Sequence, residues 1–380
     1  MKSYLLPRRP TFTMVLLGNL RQNRMLKSQY HSMPKSKRLE VTESSSTSRE
    51  DGSSSTRTLT LSESPNGAWS REHSAPFSNK MKLKNKNKII VILGATATGK
   101  SGLAVKIAKK FKGEVVSADS RQVYKGLDIG TGKITKKEMQ GVHHWGLSIT
   151  SPKNIFSVAE YQKLANEKIK TIFKRSKLPI ICGGTGFYID AVVNNTLLPD
   201  VPPDTKLREE LDKKSIEELS FILRDLDMDR YKNIDLNNKV RLIRAIEIAK
   251  ALGKVPVINH AQSPYLFLKI GLKLSDIELK NKINKRLKSR IRQGMIQEAE
   301  NLHKKGLSFE RMKELGLEYR YLTNFLEGNI TKKEMLEKLE VEIWRYAKRQ
   351  MTWFKRDKTI KWFHPKEIKN IEKEINSFLD

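Results

Sequence analysis

Short apolar segments alternate with longer amphipathic segments from residue 89 onwards. Residues 89–93 form a continuous apolar run, and residues 102–111 follow it with helical spacing. A short run that is apolar on both faces is typical of a buried parallel strand. Residues 115–116 and 179–182 are predicted as further strands, and residues 156–175 between them as an amphipathic helix. This order predicts an α/β fold in which helices flank a parallel sheet.

The second half of the chain changes from this alternation to a helical pattern. Residues 200–204 (DVPPD) are typical of a stiff linker, and the pattern after them is helical up to Gly253. Residues 268–274 then alternate like a strand, and basic helices are predicted as far as about residue 356. We therefore predict an all-helical insertion at residues 199–264 within a core formed by residues 81–198 and 265–380.

Residues 1–80 have a different composition. They are rich in serine and lack apolar periodicity, which predicts a disordered extension. The first carboxylate is Glu40, so residues 1–39 have the basic, acid-free composition of an organellar transit peptide. Alternatively, the segment is a non-functional extension upstream of Met81. The expected location is cytoplasmic, or a mitochondrion or plastid if residues 1–40 are a transit peptide.

The charge balance points to a polyanionic partner. The 73 Lys and Arg residues exceed the 42 Asp and Glu residues, and the formal net charge is +31. A lysine-rich bias that places charge on solvated faces is the alternative explanation. The single cysteine excludes an internal disulfide framework and a zinc site of clustered thiolates. No run of about 18 apolar residues occurs, so no membrane span is predicted.

A glycine-rich loop between the first predicted strand and helix has P-loop spacing. Its backbone N–H groups are expected to converge on a phosphate, the Lys100 ammonium adds charge, and the Ser101 hydroxyl is a ligand for Mg²⁺. The residues predicted to bind the diphosphate are Gly94, Ala95, Thr96, Ala97, Thr98, Gly99, Lys100 and Ser101. The second strand ends in Ser117-Ala-Asp119-Ser120, unlike that of a motor or switch NTPase. The bound diphosphate is therefore interpreted as a leaving group.

Five segments in this order resemble the tRNA dimethylallyltransferase (tRNA isopentenyltransferase) family, over a span from residue 89 to about residue 363. They are residues 116–131 (VSADSRQVYKGLDIGT), 183–188 (GGTGFY), 240–247 (VRLIRAIE), 315–320 (LGLEYR) and 348–353 (KRQMTW). The chain resembles the bacterial form, because eukaryotic cytosolic relatives carry an added C-terminal zinc finger. Mild departures from the commonest family sequences occur at residues 95–98 and 317–318.

The resemblance implies a P-loop NTPase-like fold and a prenyl transfer. The donor would be dimethylallyl diphosphate, and the acceptor would be N6 of the adenosine 3′-adjacent to a tRNA anticodon. It also implies that the catalytic residues are Asp119, Arg286 and Thr98, with Mg²⁺ at Ser101. Asp119 would accept the N6 proton, since a carboxylate at the carboxyl end of a strand lies at the ligand edge of an open sheet. Taken alone, Asp119 is equally typical of a helix N-cap.

Further residues are expected to contact the tRNA anticodon stem-loop by the same resemblance. They are Asp119, Ser120, Arg121, Gln122, Thr185, Val240, Arg241, Leu242, Ile243, Arg244, Leu315, Gly316, Tyr319, Arg320, Lys348, Arg349, Gln350, Thr352 and Trp353. Helical spacing places Arg345, Arg349, Thr352 and Arg356 on one face as an RNA-facing stripe. The same spacing directs Ile343, Tyr346, Ala347, Met351 and Phe354 toward the core. The active form is expected to be a monomer.

Two other functions share parts of this pattern. An adenylate dimethylallyltransferase also has a P-loop and an Asp but alkylates AMP or ATP, for which the helical insertion and the basic stripe have no purpose. A P-loop small-molecule kinase would instead transfer the γ-phosphate of ATP. The adjacent His143 and His144 are interpreted as loop residues near the site, because neighbouring side chains do not converge on one metal ion.

Overall fold

The computed structural model describes residues 40–44, 58–62 and 87–380. The first two ranges are strands β1 (Glu40–Ser44) and β2 (Thr58–Ser62), which pair antiparallel and belong to the first of two units of the chain. No pattern in the sequence predicts this pair. Most of the expected disordered extension at residues 1–80 lies outside the described residues and stays a prediction.

Six parallel strands form the central sheet of the second unit. They are β3 (Lys88–Gly94), β4 (Gly113–Ala118), β5 (His144–Trp145), β6 (Leu178–Gly183), β7 (Leu266–Leu272) and β8 (Lys361–Phe363). Their order across the sheet is β5-β4-β6-β3-β7-β8, and every neighbouring pair is parallel. The predicted parallel α/β sheet is therefore confirmed. The two short edge strands, β5 and β8, are not predicted from the sequence.

Helices occupy most of the remaining chain in this unit. In chain order, those of the described residues are α1 (Lys100–Lys110), α2 (Lys136–Met139), α3 (Val158–Lys174), α4 (Gly186–Val193), α5 (Thr205–Asp212), α6 (Ile216–Leu226), α7 (Met228–Lys232), α8 (Lys239–Leu252), α9 (Asp276–Arg292), α10 (Met295–Lys304), α11 (Phe309–Glu314), α12 (Leu317–Leu326), α13 (Lys332–Phe354) and α14 (Ile368–Leu379). None of them is both long enough and apolar enough to cross a membrane.

Both faces of the sheet are covered, which explains why its central strands are apolar without alternation. The side chains of Ile90 and Ile92 pack on one face with residues of α1 and α14, while Ile89 and Val91 pack on the other with residues of α3 and α4. All four are fully buried. A capping box begins α3: the Ser157 hydroxyl accepts from the Glu160 N–H at 3.2 Å, and the Glu160 carboxylate accepts from the Ser157 N–H at 2.7 Å.

Helices α5 to α8 occupy the segment predicted as an insertion. They enclose a small core of their own, in which Leu219, Leu223, Leu242 and Ile246 are fully buried. The helical pattern predicted up to Gly253 is confirmed, because α8 ends at Leu252. The domain limits at residues 199 and 264 stay a prediction, since residues 77–380 form one compact unit. Helices α9 to α13 surround a fourth core, which also includes Ala95 of the P-loop.

Candidate active site

The P-loop connects β3 to α1 and has the conformation that its sequence predicts. Gly94 has a φ of +140°, and a Cβ there would lie 2.6 Å from the Leu272 carbonyl oxygen on the neighbouring strand β7. Only glycine fits so close to another backbone. The Lys100 ammonium donates to the Ala95 carbonyl at 2.6 Å, which holds it beside the loop. The loop therefore presents backbone N–H groups, the amino end of α1 and a cation in one place.

A cavity of about 450 Å³ lies at the carboxyl ends of the central strands. The P-loop forms one wall and Asp119, at the end of β4, forms another. Gly183 and Gly184, at the end of β6, lie between them, and Arg286 reaches in from α9. The carboxyl edge of an open parallel sheet is the usual ligand position in α/β proteins. The cavity thus places a carboxylate opposite an anion-binding loop.

Asp119 is not a helix N-cap, which removes that alternative. The residues that follow it form turns, and the next helix, α2, begins at Lys136. One oxygen of the Asp119 carboxylate, Oδ1, accepts from the Arg121 N–H at 2.9 Å, and the residue lines the cavity. The neighbouring Ser120 N–H donates to the Thr185 hydroxyl at 3.0 Å, which ties the end of β4 to the end of β6. The carboxylate is held from one side and faces the cavity with the other.

Burial changes the acid–base properties of the cavity's cations. It lowers the pKa of Lys100 to about 8, against the opposing influence of Cys182 and Asp119. It also lowers the pKa of Arg286 to about 10, and the nearby Arg290 guanidinium contributes to that decrease. Both side chains are therefore charged at pH 7. The pKa of the Cys182 thiol rises to about 12 because the thiol is buried, so it is protonated at the same pH.

Arg286 lies beside the P-loop, as the resemblance implies. Its guanidinium donates to the Thr96 hydroxyl at 3.3 Å and to the Gly132 carbonyl at 3.3 Å. One turn later on α9, Arg290 donates to the Gly130 carbonyl at 3.1 Å and pairs with Glu318 at 3.2 Å. These contacts fix the loop that precedes α2 against α9. They aim a cation at the place where a bound diphosphate would lie.

Thr98 has a different position from the one that a direct catalytic role requires. Its side chain is 1% exposed, and its hydroxyl donates to the Ala95 carbonyl at 2.8 Å inside the loop. It stabilises the P-loop and does not line the cavity. Ser101, in contrast, is exposed at the start of α1 and lines the cavity, where a metal ligand is expected.

The residues expected to contact tRNA fall into three groups by burial. Those with exposed side chains are Arg121, Val240, Arg241, Arg320, Lys348, Arg349 and Thr352. Those that are partly buried are Asp119, Ser120, Gln122, Thr185, Arg244, Gly316 and Trp353. Those that are buried are Leu242, Ile243, Leu315, Tyr319 and Gln350. These five side chains are at most 8% exposed, although Gln350 borders the cavity, so their contact with RNA stays a prediction.

The buried members of that set have structural partners instead. Leu242 and Ile243 lie in the core of helices α5 to α8, and Leu315 lies in the core of α9 to α13. The Tyr319 hydroxyl donates to the Glu298 carboxylate at 2.6 Å. Glu298 also accepts from three consecutive N–H groups at residues 128–130, at 2.7–2.9 Å. Tyr319 therefore supports the wall of the cavity from outside.

The basic stripe predicted on α13 is present. Arg345, Arg349 and Thr352 are exposed on α13, and Arg356 is exposed in the turn after the helix ends at Phe354. Ile343, Ala347 and Phe354 are buried and Met351 is partly buried. One prediction on this helix is wrong: Tyr346 is 38% exposed and lines the cavity instead of pointing into the core. Helical spacing places Tyr346 between the buried and exposed faces, so the sequence alone did not resolve its direction.

A divalent cation fits this cavity only if the substrate supplies most of its ligands. Among residues 87–380, no three or more His, Cys, Asp or Glu side chains are grouped so as to hold a metal ion. Mg²⁺ is commonly bound through one or two protein oxygens together with phosphate oxygens and water. The exposed Ser101 hydroxyl, at the mouth of the P-loop, is suited to that arrangement.

Several residues that line the cavity are not predicted from the sequence. His144 lines it from β5, so interpreting His143 and His144 as loop residues is wrong for His144. A strand of two residues leaves no detectable pattern. Burial lowers the pKa of His144, which keeps its ring neutral at pH 7. Ile134 and Leu147 add apolar surface to the same cavity, and only the three-dimensional fold brings them there.

Comparisons with known proteins agree on one family. A family model described as IPP transferase matches residues 122–357. The tRNA dimethylallyltransferase of Thermoanaerobacter sp. (strain X514) is 40% identical over 296 residues, covering 75% of this chain and 94% of its own. That of Anoxybacillus flavithermus is 39% identical over 297 residues, covering 77% of this chain and 95% of its own.

Solved structures lead to the same result. The tRNA isopentenylpyrophosphate transferase of Bacillus halodurans superposes with a TM-score of 0.60 at 37% identity, covering 77% of this chain and 97% of its own. A eukaryotic dimethylallyltransferase acting on tRNA has a TM-score of 0.59 at 23% identity, which supports the fold alone. The family match covers more than half of this chain, and the relatives are similar over almost their full length. The chain therefore belongs to the IPP transferase family, whose relatives are named tRNA dimethylallyltransferases.

Proposed function

We propose that this protein transfers the dimethylallyl group from dimethylallyl diphosphate to N6 of the adenosine that is 3′-adjacent to the anticodon of tRNA, and releases diphosphate. The observation that carries the proposal is the single cavity lined by both the P-loop and Asp119. One side of it suits an anionic leaving group. The other side suits a nucleophile that must lose a proton.

The reaction forms an N6–carbon bond, breaks the carbon–oxygen bond of the donor and moves one proton from N6 to a base. The N6 lone pair attacks the first carbon of the donor, and the bond from that carbon to the diphosphate oxygen breaks with its electron pair leaving on the diphosphate. Amides of the P-loop, Lys100 and Arg286 stabilise the charge that develops on the leaving group. When bound, Mg²⁺ would add positive charge there, held by the Ser101 hydroxyl. The proton released from N6 passes to the Asp119 carboxylate, for which a contribution of ~10²–10⁴ in rate is typical.

The acceptor adenine must leave its base stack to enter the cavity. Flipping an adenine out costs a few kcal/mol, which contacts between cationic side chains and RNA phosphates offset. The exposed stripe of α13 begins next to Tyr346, which lines the cavity, so cations of the stripe lie close to the entrance. Val240 and Arg241 present a second exposed surface at the start of α8. These surfaces favour an RNA acceptor over a free mononucleotide.

The test is transfer of a labelled prenyl group by the full chain with Mg²⁺. Dimethylallyl diphosphate is supplied together with tRNA in one reaction and with AMP in another, and nucleosides are identified by mass spectrometry. Prenylated adenosine released from tRNA is expected. Label in AMP alone would favour an adenylate dimethylallyltransferase. Transfer of the γ-phosphate of ATP without any prenyl transfer would instead identify a kinase.

A further inference from the structure

Gln350 is a buried amide that joins α13 to two walls of the cavity. Its side chain accepts from the Thr96 N–H of the P-loop at 2.8 Å through Oε1, and it donates to the Gly184 carbonyl at 2.8 Å through Nε2. The residue is only 7% exposed. One partner is a donor and the other an acceptor, so the amide fits in a single orientation. Gln350 thus fixes the P-loop, the end of β6 and α13 relative to one another.

Helix α13 also carries the exposed cations that we assign to RNA. Arg349 is the residue immediately before Gln350 and is exposed, and Tyr346, one turn earlier, lines the cavity. The P-loop partner of Gln350 is held from a second helix as well, because the Thr96 hydroxyl accepts from Arg286 on α9. A shift of α13 therefore moves Thr96, the P-loop residue that also holds the Arg286 guanidinium beside the proposed diphosphate site.

The fit around this amide indicates more than packing. A Cβ added at Gly184 would lie 2.4 Å from Gln350 Nε2, while its next nearest atom outside Gln350, the Gly94 carbonyl oxygen, is 3.7 Å away. The Gln350 amide is thus the main group that leaves no room for a side chain at position 184. A methionine at position 350 would fill a similar volume but leave the Thr96 N–H and the Gly184 carbonyl without partners. Packing alone requires no amide here, whereas positioning does.

We propose that Gln350 is a positioning residue that couples RNA binding on α13 to diphosphate binding by the P-loop. This inference rests on the function proposed above. RNA that docks on the exposed face of α13 restricts the helix, and Gln350 passes that restriction to Thr96 and through it to Arg286. Because coupling between two sites is reciprocal, each ligand then raises the affinity for the other by the same factor.

The experiment measures the Kd of inorganic diphosphate with Mg²⁺, with and without a saturating anticodon stem-loop RNA. Inorganic diphosphate is used because it binds without turnover. For the wild-type protein the RNA is expected to lower this Kd at least about fivefold, the lower end of typical couplings. For Gln350→Met the ratio of the two Kd values is expected to fall to within about twofold of one.

Two further variants keep the test decisive. Gly184→Ala displaces the same amide from the opposite side and is expected to abolish the coupling as Gln350→Met does, so it decides the question if Gln350→Met fails to fold. Arg349→Ala is the matched control on α13: it is expected to weaken RNA binding but to keep the wild-type ratio once RNA is saturating. A wild-type ratio of one, or a wild-type ratio retained in the folded variants, overturns the inference. Wild-type prenyl transfer to tRNA, measured in parallel, tests the proposed function independently.

Discussion

Lys100 and Asp119 line the same cavity from strands that are not neighbours in the sheet. Lys100 follows β3 and Asp119 follows β4, and β6 lies between these two strands. Strands are spaced ~4.8 Å apart, so the strand ends that carry the two groups are separated by roughly 10 Å. The intervening strand ends in Gly183 and Gly184, which have no side chains to fill the gap. The sheet order therefore leaves room for a prenyl carbon and its nucleophile between the anion site and the carboxylate.

Diphosphate binding is expected to weaken above about pH 8. Burial lowers the pKa of Lys100 to about 8 in the free protein, and a bound anion raises that pKa by favouring the charged form. The stabilisation that Lys100 provides is thus fully present below pH 8 and is lost as the pH rises past it. Titration of inorganic diphosphate by calorimetry from pH 7 to pH 9.5 measures this decrease.

The matched variants for this prediction are Lys100→Met and Lys100→Arg. The methionine variant is expected to bind diphosphate more weakly at pH 7 and to show no decrease near pH 8. The arginine variant keeps its charge throughout this range, so any decrease should begin at higher pH. Unchanged wild-type affinity between pH 7 and pH 9.5 would show that Lys100 does not contact the anion.

RNA binding is expected to depend on salt through the exposed stripe of α13. Replacement of Arg349 by alanine removes one phosphate contact, which should weaken binding and reduce the slope of log Kd against log salt concentration by about one. Lys373 is exposed on α14, which packs against β3 and β7, so Lys373→Ala is the matched control and should leave the slope unchanged. Equal effects of the two variants would argue for non-specific attraction by the overall charge.

Substitutions at two nearby positions of α8 are expected to affect different properties: one the stability of the fold, the other RNA binding. Leu242 is fully buried among α5 to α8, so Leu242→Ala is expected to lower the free energy of unfolding by ~2–5 kcal/mol. Val240 is 77% exposed, so Val240→Ala should change the free energy of unfolding by less than ~0.5 kcal/mol. The same variant is expected to bind RNA more weakly. Denaturant unfolding and RNA titration of both variants check this. A Val240→Ala variant with wild-type RNA affinity would remove α8 from the proposed interface.

The chain that begins at Met81 is expected to retain activity. The described sheet begins at Lys88, and the relatives are similar to about three quarters of this chain while covering almost all of their own. Prenyl transfer by the truncated and full-length proteins should agree within about twofold, the range left by a segment that makes no contribution to the site. A larger loss would assign the first 80 residues a role in catalysis or RNA binding.

Local patterns were sufficient to predict the central strands, the P-loop and the position of Asp119. Strands β3, β4 and β6 are mostly apolar because helices cover both faces, and Gly94 of the P-loop marks where two backbones approach closely. Each of these signals lies within a few residues of sequence. The place of Arg286, in contrast, followed only from the resemblance, because its contacts with Thr96 and Gly132 span more than 150 residues.

Other features of the site depend on tertiary packing that no local pattern contains. Thr98 belongs to the predicted loop, but the direction of its hydroxyl, toward Ala95, is set by the backbone of the folded loop. The expectation that Gln350 contacts RNA rests on the family resemblance alone. Its true partners lie 254 and 166 residues away. Both Thr98 and Gln350 are buried, and no local sequence pattern predicts their burial.

Single-turnover prenyl transfer by Asp119 variants tests the central claim most directly. With enzyme in excess over tRNA and saturating dimethylallyl diphosphate, the rate of the chemical step is measured for wild type, Asp119→Ala and the near-isosteric Asp119→Asn. If the Asp119 carboxylate accepts the N6 proton across the cavity from the P-loop, both variants lose ~10²–10⁴ in rate while tRNA affinity stays within a few fold. A single-turnover rate close to that of the wild type, with tRNA binding lost instead, would contradict the account.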